Sequence, residues 1–115
     1  MVAQVSIRFL IGLSRAQDAA ECFRTLELGP SVAQRQRERR AQALSYLGGA
    51  YGVGAAYDGR GYWKGESEPC MQFETIQTDS PTVRAWARIH AGTLRDMLGQ
   101  EAIGLVFAPV ELELI

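Results

Sequence analysis

The sequence predicts an α+β fold, and its segment patterns support this prediction. Residues 4–13 and 69–78 alternate in polarity with the two-residue period of a strand. Residues 50–63 are rich in glycine and aromatics, which is typical of a twisted or bulged strand. Residues 81–98 carry an apolar stripe at helical spacing and follow the helix start Ser80-Pro81. With the remaining segments the order is strand, helices, strand, strand, helix, strand, which predicts a ferredoxin-like sandwich: a four-stranded antiparallel sheet with helices on one face and an extra helical insert after the first strand.

The first half of the chain supplies one strand and two helices. The buried face of the first strand consists of Val5, Ile7, Phe9, Ile11 and Leu13. Residues 15–27 then have helical spacing behind an N-cap at Ser14. A second helix is predicted from Ser31 to Leu47, ended by Gly48 and Gly49. Its apolar face is sparse and consists of Ala33, Ala41, Leu44 and Leu47. Its middle, RQRERR, is all polar, so at least two turns should face water or a partner.

The second half supplies three strands and the last helix. Pro69 occupies the first position of its strand, where a missing N–H is tolerated. Trp86 lies in the middle of the apolar stripe of the last helix, and we expect it to pack on the sheet. The final segment, AIGLVFAPVELELI, is predicted as a strand pair or as one strand broken at Pro109.

Length and composition describe one globular domain, residues 1–115. The hydrophobic fraction of 47% and the charged fraction of 22% are ordinary. No apolar run approaches the roughly 20 residues that span a bilayer, and the apolar stretch near the start lacks a positive flank, so we expect neither a membrane partner nor a signal peptide. The net charge of −1 disfavours nucleic acid as a partner.

The cysteines and the histidine bear on metals and location. Cys22 and Cys70 have no CxxC spacing, and the chain holds a single histidine. We therefore expect neither a disulfide framework nor a metal site, and we expect the protein to lie in a reducing cytoplasm. We expect no cofactor.

Three short motifs resemble a family of small uncharacterised phage and bacterial proteins. They are the strand end Ile11, Gly12 and Leu13, the hairpin residues Gly61, Trp63 and Glu68, and the strand entry Gln100, Glu101 and Ile103. The resemblance covers the sheet and the last helix but not residues 15–50. It implies a ferredoxin-like fold and an origin in a mobile element, with interference with a host defence pathway as a natural role. It implies no biochemical activity.

The stretch YDGRGYWKGESEP, residues 57–69, has two interpretations. In the first, Asp58-Gly59 and Lys64-Gly65 are tight turns, and the strand between them points Tyr62 and Trp63 to opposite faces. In the second, the stretch offers donors and a stacking face to an anionic or aromatic ligand. The residues for this role are Arg60, Tyr62, Trp63 and Lys64. The glycines precede a strand and not a helix, so this is not a phosphate-binding loop of the P-loop type.

Arginine is concentrated in the second helix, at Arg35, Arg37, Arg39 and Arg40. Glu38 is the only acid within RQRERR, so the repulsion among these charges is mostly uncompensated. The cluster is either a solvated helix face or a site for an anionic partner. Such a partner would be a small molecule of nucleotide type or an acidic protein surface, and the sequence does not choose between them.

His90, the single histidine, lies on the apolar stripe of the last helix. It is either a hydrogen-bonded core or interface residue or an acid-base group, for which Glu74 is a conceivable partner. Glu66, Glu68 and Glu74 could form an acidic site, although acids at alternate strand positions more often face solvent. The nucleophile motif Gly-x-Ser-x-Gly is absent.

These features lead to two functional hypotheses. The first is a non-catalytic, self-associating binding protein for an anionic small ligand or an acidic protein surface, with the arginines and the hairpin residues as its site. The alternative is a small cofactor-free enzyme with a cleft between sheet and helices around His90. A homo-oligomer is expected because the apolar C-terminal stretch VELELI predicts an edge strand, and sheet edges tend to be paired or protected.

Overall fold

The computed structural model describes residues 3–15, 18 and 31–115, with the backbone alone at Trp63. The helix predicted over residues 15–27 lies outside the described residues, apart from Arg15 and Asp18, and so does Cys22. Within the described part, the chain forms one antiparallel sheet of four strands and two long helices. The predicted α+β class is confirmed.

The strands and helices follow one another as predicted. They are β1 (Gln4–Gly12), α1 (Val32–Tyr51), β2 (Ala55–Trp63), β3 (Glu66–Thr78), α2 (Pro81–Leu98) and β4 (Gly104–Val110). The strand order in the sheet is β2-β3-β1-β4, and every neighbouring pair is antiparallel. This layout is compatible with a ferredoxin-like sandwich. Neither α1 nor α2 is long and apolar enough to cross a membrane, and these are the helices that the described residues form.

The core lies between one face of the sheet and the two helices. The predicted face of β1 and the residue after it is buried along its whole length: Val5, Ile7, Phe9, Ile11 and Leu13. The residues packed against it are Met71 and Phe73 of β3, Ala43 and Leu47 of α1, and Ala87, Leu94 and Leu98 of α2. The intervening residues of β1 belong to the opposite face of the sheet, where Leu10 is exposed.

Helix α1 is longer than the sequence predicts. Ser31 caps it as expected, since its hydroxyl accepts the N–H of Gln34. The helix runs past Gly48 and Gly49 and ends at Gly52, which has the left-handed conformation of a helix stop. The extra turn brings the Tyr51 ring against Phe9 and Phe73 in the core. This tertiary packing outweighs the low helix propensity of the two glycines.

Strand β3 begins at Glu66, so the prediction that Pro69 opens the strand is wrong. The Leu13 N–H donates to the Pro69 carbonyl, but proline has no N–H to return to the Leu13 carbonyl. Arg39 of α1 fills this gap, because its Nη1 lies 2.7 Å from the Leu13 carbonyl oxygen. The sheet therefore accepts an internal proline here with the help of a helix side chain.

The apolar stripe of α2 is only partly buried. Ser80 caps the helix and Pro81 opens it, as predicted. Leu94 and Leu98 are buried, but Trp86 is 55% exposed and Met97 43% exposed. The expectation that Trp86 packs on the sheet is therefore wrong. The side of the helix that faces the core is centred on Ala87, which is fully buried. Trp86, the preceding residue, therefore lies at the border between the buried and the exposed sides of the helix.

The last strand is single and shorter than predicted. β4 pairs with β1 from Gly104 to Val110 and contains Pro109 opposite Val5. Residues 111–115 are exposed and form no strand. The edge strand predicted over VELELI is therefore wrong beyond Val110. Because β4 lies at the edge of the sheet, it tolerates the proline.

Candidate functional site

Residues 57–69 fold as a β-hairpin with one turn. β2 continues through Asp58 and Gly59 to Trp63, and Lys64-Gly65 connects it to β3. Both turn residues have positive φ, 50° at Lys64 and 80° at Gly65, as a two-residue type I′ turn requires. The predicted turn at Lys64-Gly65 is confirmed. The turn predicted at Asp58-Gly59 is wrong, because Gly59 pairs with Cys70 inside the ladder.

The hairpin extends past the rest of the sheet. β1 ends at Gly12, opposite Cys70, whereas β2 and β3 stay paired out to Trp63 and Glu66. We call residues 60–69 the hairpin arm. The molecule is elongated, with extents of 57 × 28 × 22 Å.

A cavity of about 1080 Å³ lies beside the hairpin arm. Its walls are the arm, the end of β1, residues 99–103 and Gly104, the first residue of β4. Lys64 Nζ lies 3.1 Å from Glu101 Oε2, so an ion pair joins the tip of the arm to this loop. Of the nine residues that carry the family resemblance, seven line the cavity: Ile11, Gly12, Gly61, Glu68, Gln100, Glu101 and Ile103. The three motifs are distant in the sequence and meet at this cavity.

Glu68 is the most informative side chain of the cavity wall. It is half-buried and accepts the backbone N–H of Ser14. Burial raises the pKa of its carboxyl, and the hydrogen bond from Ser14 offsets only part of this effect. A Cβ atom on Gly12 would overlap the Glu68 carboxyl, so the glycine provides the space in which the acid sits. Among the described residues, no ion pair neutralises Glu68.

Cys70 lies next to Glu68 on the same face of β3, two residues further along the strand. Burial, and secondly the charge of Glu68, raise the pKa of its thiol. A Cβ on Gly59 or on Gly61 would be in van der Waals contact with its Sγ. The two glycines of β2 therefore leave a shallow notch over the thiol. A thiol with a raised pKa is a weak nucleophile at neutral pH.

The charged groups around the cavity show no cationic excess. The acids are Asp18, Asp58, Glu66, Glu68 and Glu101, and the bases are Arg15 and Lys64. Arg39 and Arg40 pair with Asp18 and Asp58 from outside the lining. Three carboxyl groups then remain against two cations, and the pKa of one of the three, Glu68, is raised. The cavity is close to neutral.

The four arginines of α1 do not form one exposed cluster. Arg39 is buried; its guanidinium binds both carboxylate oxygens of Asp18 and the Leu13 carbonyl. Arg40 makes a bidentate pair with Asp58, at 2.6 and 3.1 Å. Arg35 is half-buried, and only Arg37 is fully on the surface. The expectation that all four project toward water or a partner is wrong for Arg39, because Asp18 supplies its carboxylate partner inside the protein.

The predicted hairpin residues lie together on the arm. Tyr62 is 78% exposed, and Arg60 donates its Nε–H to the Ser67 hydroxyl at 2.9 Å. Lys64 is at the turn, where it pairs with Glu101. The side chain of Trp63 lies outside the described part of the structure. Ligand binding by these residues stays a prediction. For Glu68 the sequence pattern offered an acidic site or, more often, a solvent-facing strand acid, and it did not show that Glu68 is half-buried. Burial of one acid on a strand has no local signal.

His90 and Glu74 lie on opposite sides of the sheet and cannot act together. His90 is half-buried between the helices, with its Nδ1 2.9 Å from the Tyr46 hydroxyl and its ring near Tyr51. Glu74 is on the other face, where it binds Arg8 at 2.9 Å and the Ser6 hydroxyl at 2.6 Å. The prediction that Glu74 serves as partner to His90 is wrong, because strand alternation turns Glu74 away from the helices. Tyr46 is the partner that the structure provides.

Comparison of the chain with protein-family models, with curated proteins and with solved structures finds no match. The likeness to phage and bacterial proteins therefore rests on its three motifs alone.

Proposed function

We propose that this chain is a non-catalytic binding protein whose ligand site is the cavity beside the hairpin arm. The observation that carries the proposal is the half-buried Glu68 carboxyl on the cavity wall, which has the Ser14 N–H as its donor and no cation among the described residues. A carboxylate withdrawn from water gains from a charged donor. The ligand that fits is a small polar molecule that presents an ammonium or guanidinium group to Glu68.

The surroundings of Glu68 support a small ligand. A volume of about 1080 Å³ is slightly above the usual range for small-molecule sites, so the cavity has room for such a ligand. Leu10 and Tyr57 line the cavity and are both exposed, at 42% and 53%. They offer an apolar contact and a stacking face beside the carboxyl group. A ligand with a basic group and a flat or apolar body would use both features.

An anionic ligand or an acidic protein surface, which the arginine-rich sequence predicts, stays a second proposal for the same arm. Arg60 and Lys64 support it, while the near-neutral balance of the cavity favours a ligand with a basic group. A role against a host defence pathway and a cytoplasmic location stay predictions.

The test is a thermal-shift screen followed by native mass spectrometry, with arginine, agmatine and spermidine as basic probes and a nucleotide panel as anionic probes. We expect a basic probe to raise the melting temperature. Glu68→Gln should weaken its affinity at least tenfold, about 1.4 kcal/mol. Glu113→Gln makes the same change on an exposed acid outside the cavity and should leave the affinity unchanged. Binding of nucleotides alone would favour the anionic version, and binding of no probe would refute a small-ligand site of either kind.

A small cofactor-free enzyme is the second candidate, and one observation favours it. The Tyr46 hydroxyl and His90 Nδ1 form a hydrogen-bonded pair between the helices, with the ring of the exposed Trp86 6.0 Å from the imidazole. Such a pair is able to move a proton. If it is catalytic, His90→Gln should abolish turnover of an identified substrate while Glu68→Gln retains it. The opposite pattern would exclude the His90 site.

A further inference from the structure

Strand β2 forms one edge of the sheet, and this edge is exposed. β2 is at one end of the strand order and, among the strands that the structure describes, pairs with β3 alone. Its residues are mostly exposed, and no proline interrupts Ala55–Trp63. The other edge strand, β4, is shorter and contains Pro109. An uninterrupted, exposed edge of nine residues is a template for pairing with another strand.

The hydrogen-bond pattern of the sheet determines which residues of β2 face that edge. The Leu13 N–H donates to the Pro69 carbonyl, so the backbone groups of Pro69 point toward β1. Successive residues alternate, so those of Cys70 point toward β2, where Gly59 is the partner. Gly59 therefore bonds to β3. Its neighbours Asp58 and Arg60 direct their N–H and C=O groups to the open edge.

The charges of β2 are self-complementary about Gly59. In an antiparallel pair of two copies with Gly59 at the twofold axis, Asp58 of each copy lies opposite Arg60 of the other. The outward backbone groups of the two residues then bond to each other in the same register. A pair centred on Asp58 or on Arg60 would instead oppose two like charges. Gly59 is the centre at which charge and backbone pairing agree.

The sizes of the neighbouring side chains agree with this register. Tyr57, 53% exposed, lies opposite Gly61 of the other copy, and Tyr62, 78% exposed, lies opposite Ala56. An aromatic ring placed across from a glycine covers backbone that the glycine leaves bare. The pairing would thus bury two exposed tyrosines of each chain against small residues. Asp58, 62% exposed, is able to keep Arg40 and accept the second arginine, since Arg60 uses its Nε on Ser67.

We infer that the chain forms a symmetric homodimer through antiparallel pairing of β2 about Gly59, which joins two four-stranded sheets into one of eight strands. The partner is a second copy because β2 itself carries what its edge would bind: an arginine for each aspartate and a small residue for each tyrosine. The dimer interface shares residues such as Tyr57 with the lining of the ligand cavity. The inference does not require that a ligand binds, because its test measures the oligomeric state and not ligand binding.

The test is analytical ultracentrifugation at tens of micromolar. The wild type should sediment at twice the chain mass of 12.6 kDa. Arg60→Asp places two acids opposite each other at each contact, and Asp58→Arg places two arginines there, so each variant alone should be a monomer. Mixed in equal amounts, the two variants should form a heterodimer, since a strand with two arginines then faces a strand with two aspartates. Arg37→Asp makes the same charge change on the exposed surface of α1 and should remain a dimer.

Circular dichroism of each variant shows whether it is folded. Formation of a heterodimer in the mixture is a further control, because misfolded variants would not restore the dimer. A monomeric wild type would overturn the inference. So would an Arg60→Asp variant that dimerises as well as Arg37→Asp, a result that would point to the β4 edge or to another surface. Folded single variants that fail to associate when mixed would also overturn it.

Discussion

At the scale of single residues, burial decides what the ionisable groups do. His90 has its pKa lowered because burial disfavours the imidazolium form. Tyr51 is packed among Phe9, Phe73 and His90, and burial raises its pKa to about 12. Both groups are therefore neutral at physiological pH. The polar contact between the helices is a hydrogen bond between the Tyr46 hydroxyl and His90 Nδ1, and the histidine tautomer determines which of the two groups donates.

The His90 environment leads to a pH prediction. Burial lowers the pKa of His90 in the folded state from the ordinary histidine value of 6.5, so the unfolded chain binds the proton more tightly. The stability that neutral His90 contributes is complete above pH 6.5 and is lost as the pH falls through the folded-state pKa. NMR titration of the single imidazole should give a midpoint below 6.5.

His90→Gln provides the control for this prediction. The difference in unfolding free energy between the wild type and this variant should shrink as the pH falls from 7 toward 5, since other titrating groups cancel in the difference. An imidazole that titrates at or above 6.5 would contradict the assignment of a buried histidine.

At the scale of elements, one buried ion pair attaches the segment after β1 to helix α1. The guanidinium of Arg39 holds Asp18 with two hydrogen bonds and replaces the N–H that Pro69 lacks. Removal of one member of such a pair leaves a buried charge without compensation. Arg39 is therefore a structural residue, although it belongs to the most charged stretch of the chain.

Arg39→Ala should destabilise the fold by about 3–5 kcal/mol, because it leaves both the buried Asp18 carboxylate and the Leu13 carbonyl without the arginine as donor. Arg37→Ala, two residues away on the exposed side of the same helix, should change stability by less than about 0.5 kcal/mol. Urea denaturation monitored by circular dichroism measures both. Equal costs for the two substitutions would show that the buried pair does not form.

The packing of α2 leads to a second comparison. Leu94 is fully buried against the sheet, so Leu94→Ala should cost about 2–5 kcal/mol. Trp86 is 55% exposed and loses only part of its surface to the fold, so Trp86→Ala should cost roughly 1–2 kcal/mol. The same denaturation experiment ranks them. A Trp86→Ala variant less stable than Leu94→Ala would place the tryptophan in the core after all.

At the scale of the whole molecule, the chain is elongated and carries a projecting hairpin arm. The radius of gyration is 15.9 Å, against roughly 13 Å for a compact domain of this length. The arm has β1 beside it only as far as the bond between Leu13 and Pro69. A projecting two-stranded ribbon is marginally stable by itself, so its rigidity depends on its base and on whatever binds it.

Hydrogen exchange should therefore divide the sheet. In native-state exchange with low urea, the amides of Gly61 and Glu68 should open locally, with a small free energy and a weak dependence on urea. The amides of Ile7 and Phe9 should exchange only by global unfolding, since β1 is paired on both sides. An equal free energy and an equal urea dependence at the two places would mean that the arm and the body unfold as one unit.

Local sequence patterns were enough to predict the elements whose signal lies within a few adjacent residues. The alternation of β1, the Ser80-Pro81 start of α2 and the Lys64-Gly65 turn each follow from the period or backbone preference of a few adjacent residues, and the structure retains all three. From these elements the α+β class and its order also followed. The period of the apolar residues shows which side of a strand or helix is buried, and it can be read within a single segment.

The tertiary structure alone decided which groups meet. Three contacts join residues that are distant in the sequence: Asp18 with Arg39, Gly12 with Glu68, and Lys64 with Glu101. These contacts depend on where β1 ends beside the longer β3. The same alternation that predicts a strand places Glu74 on the face away from His90, but only the sheet shows which face the helices cover. The cavity and the role of Glu68 depend on strand register, which no local pattern specifies, because register is set by long-range packing of the whole sheet.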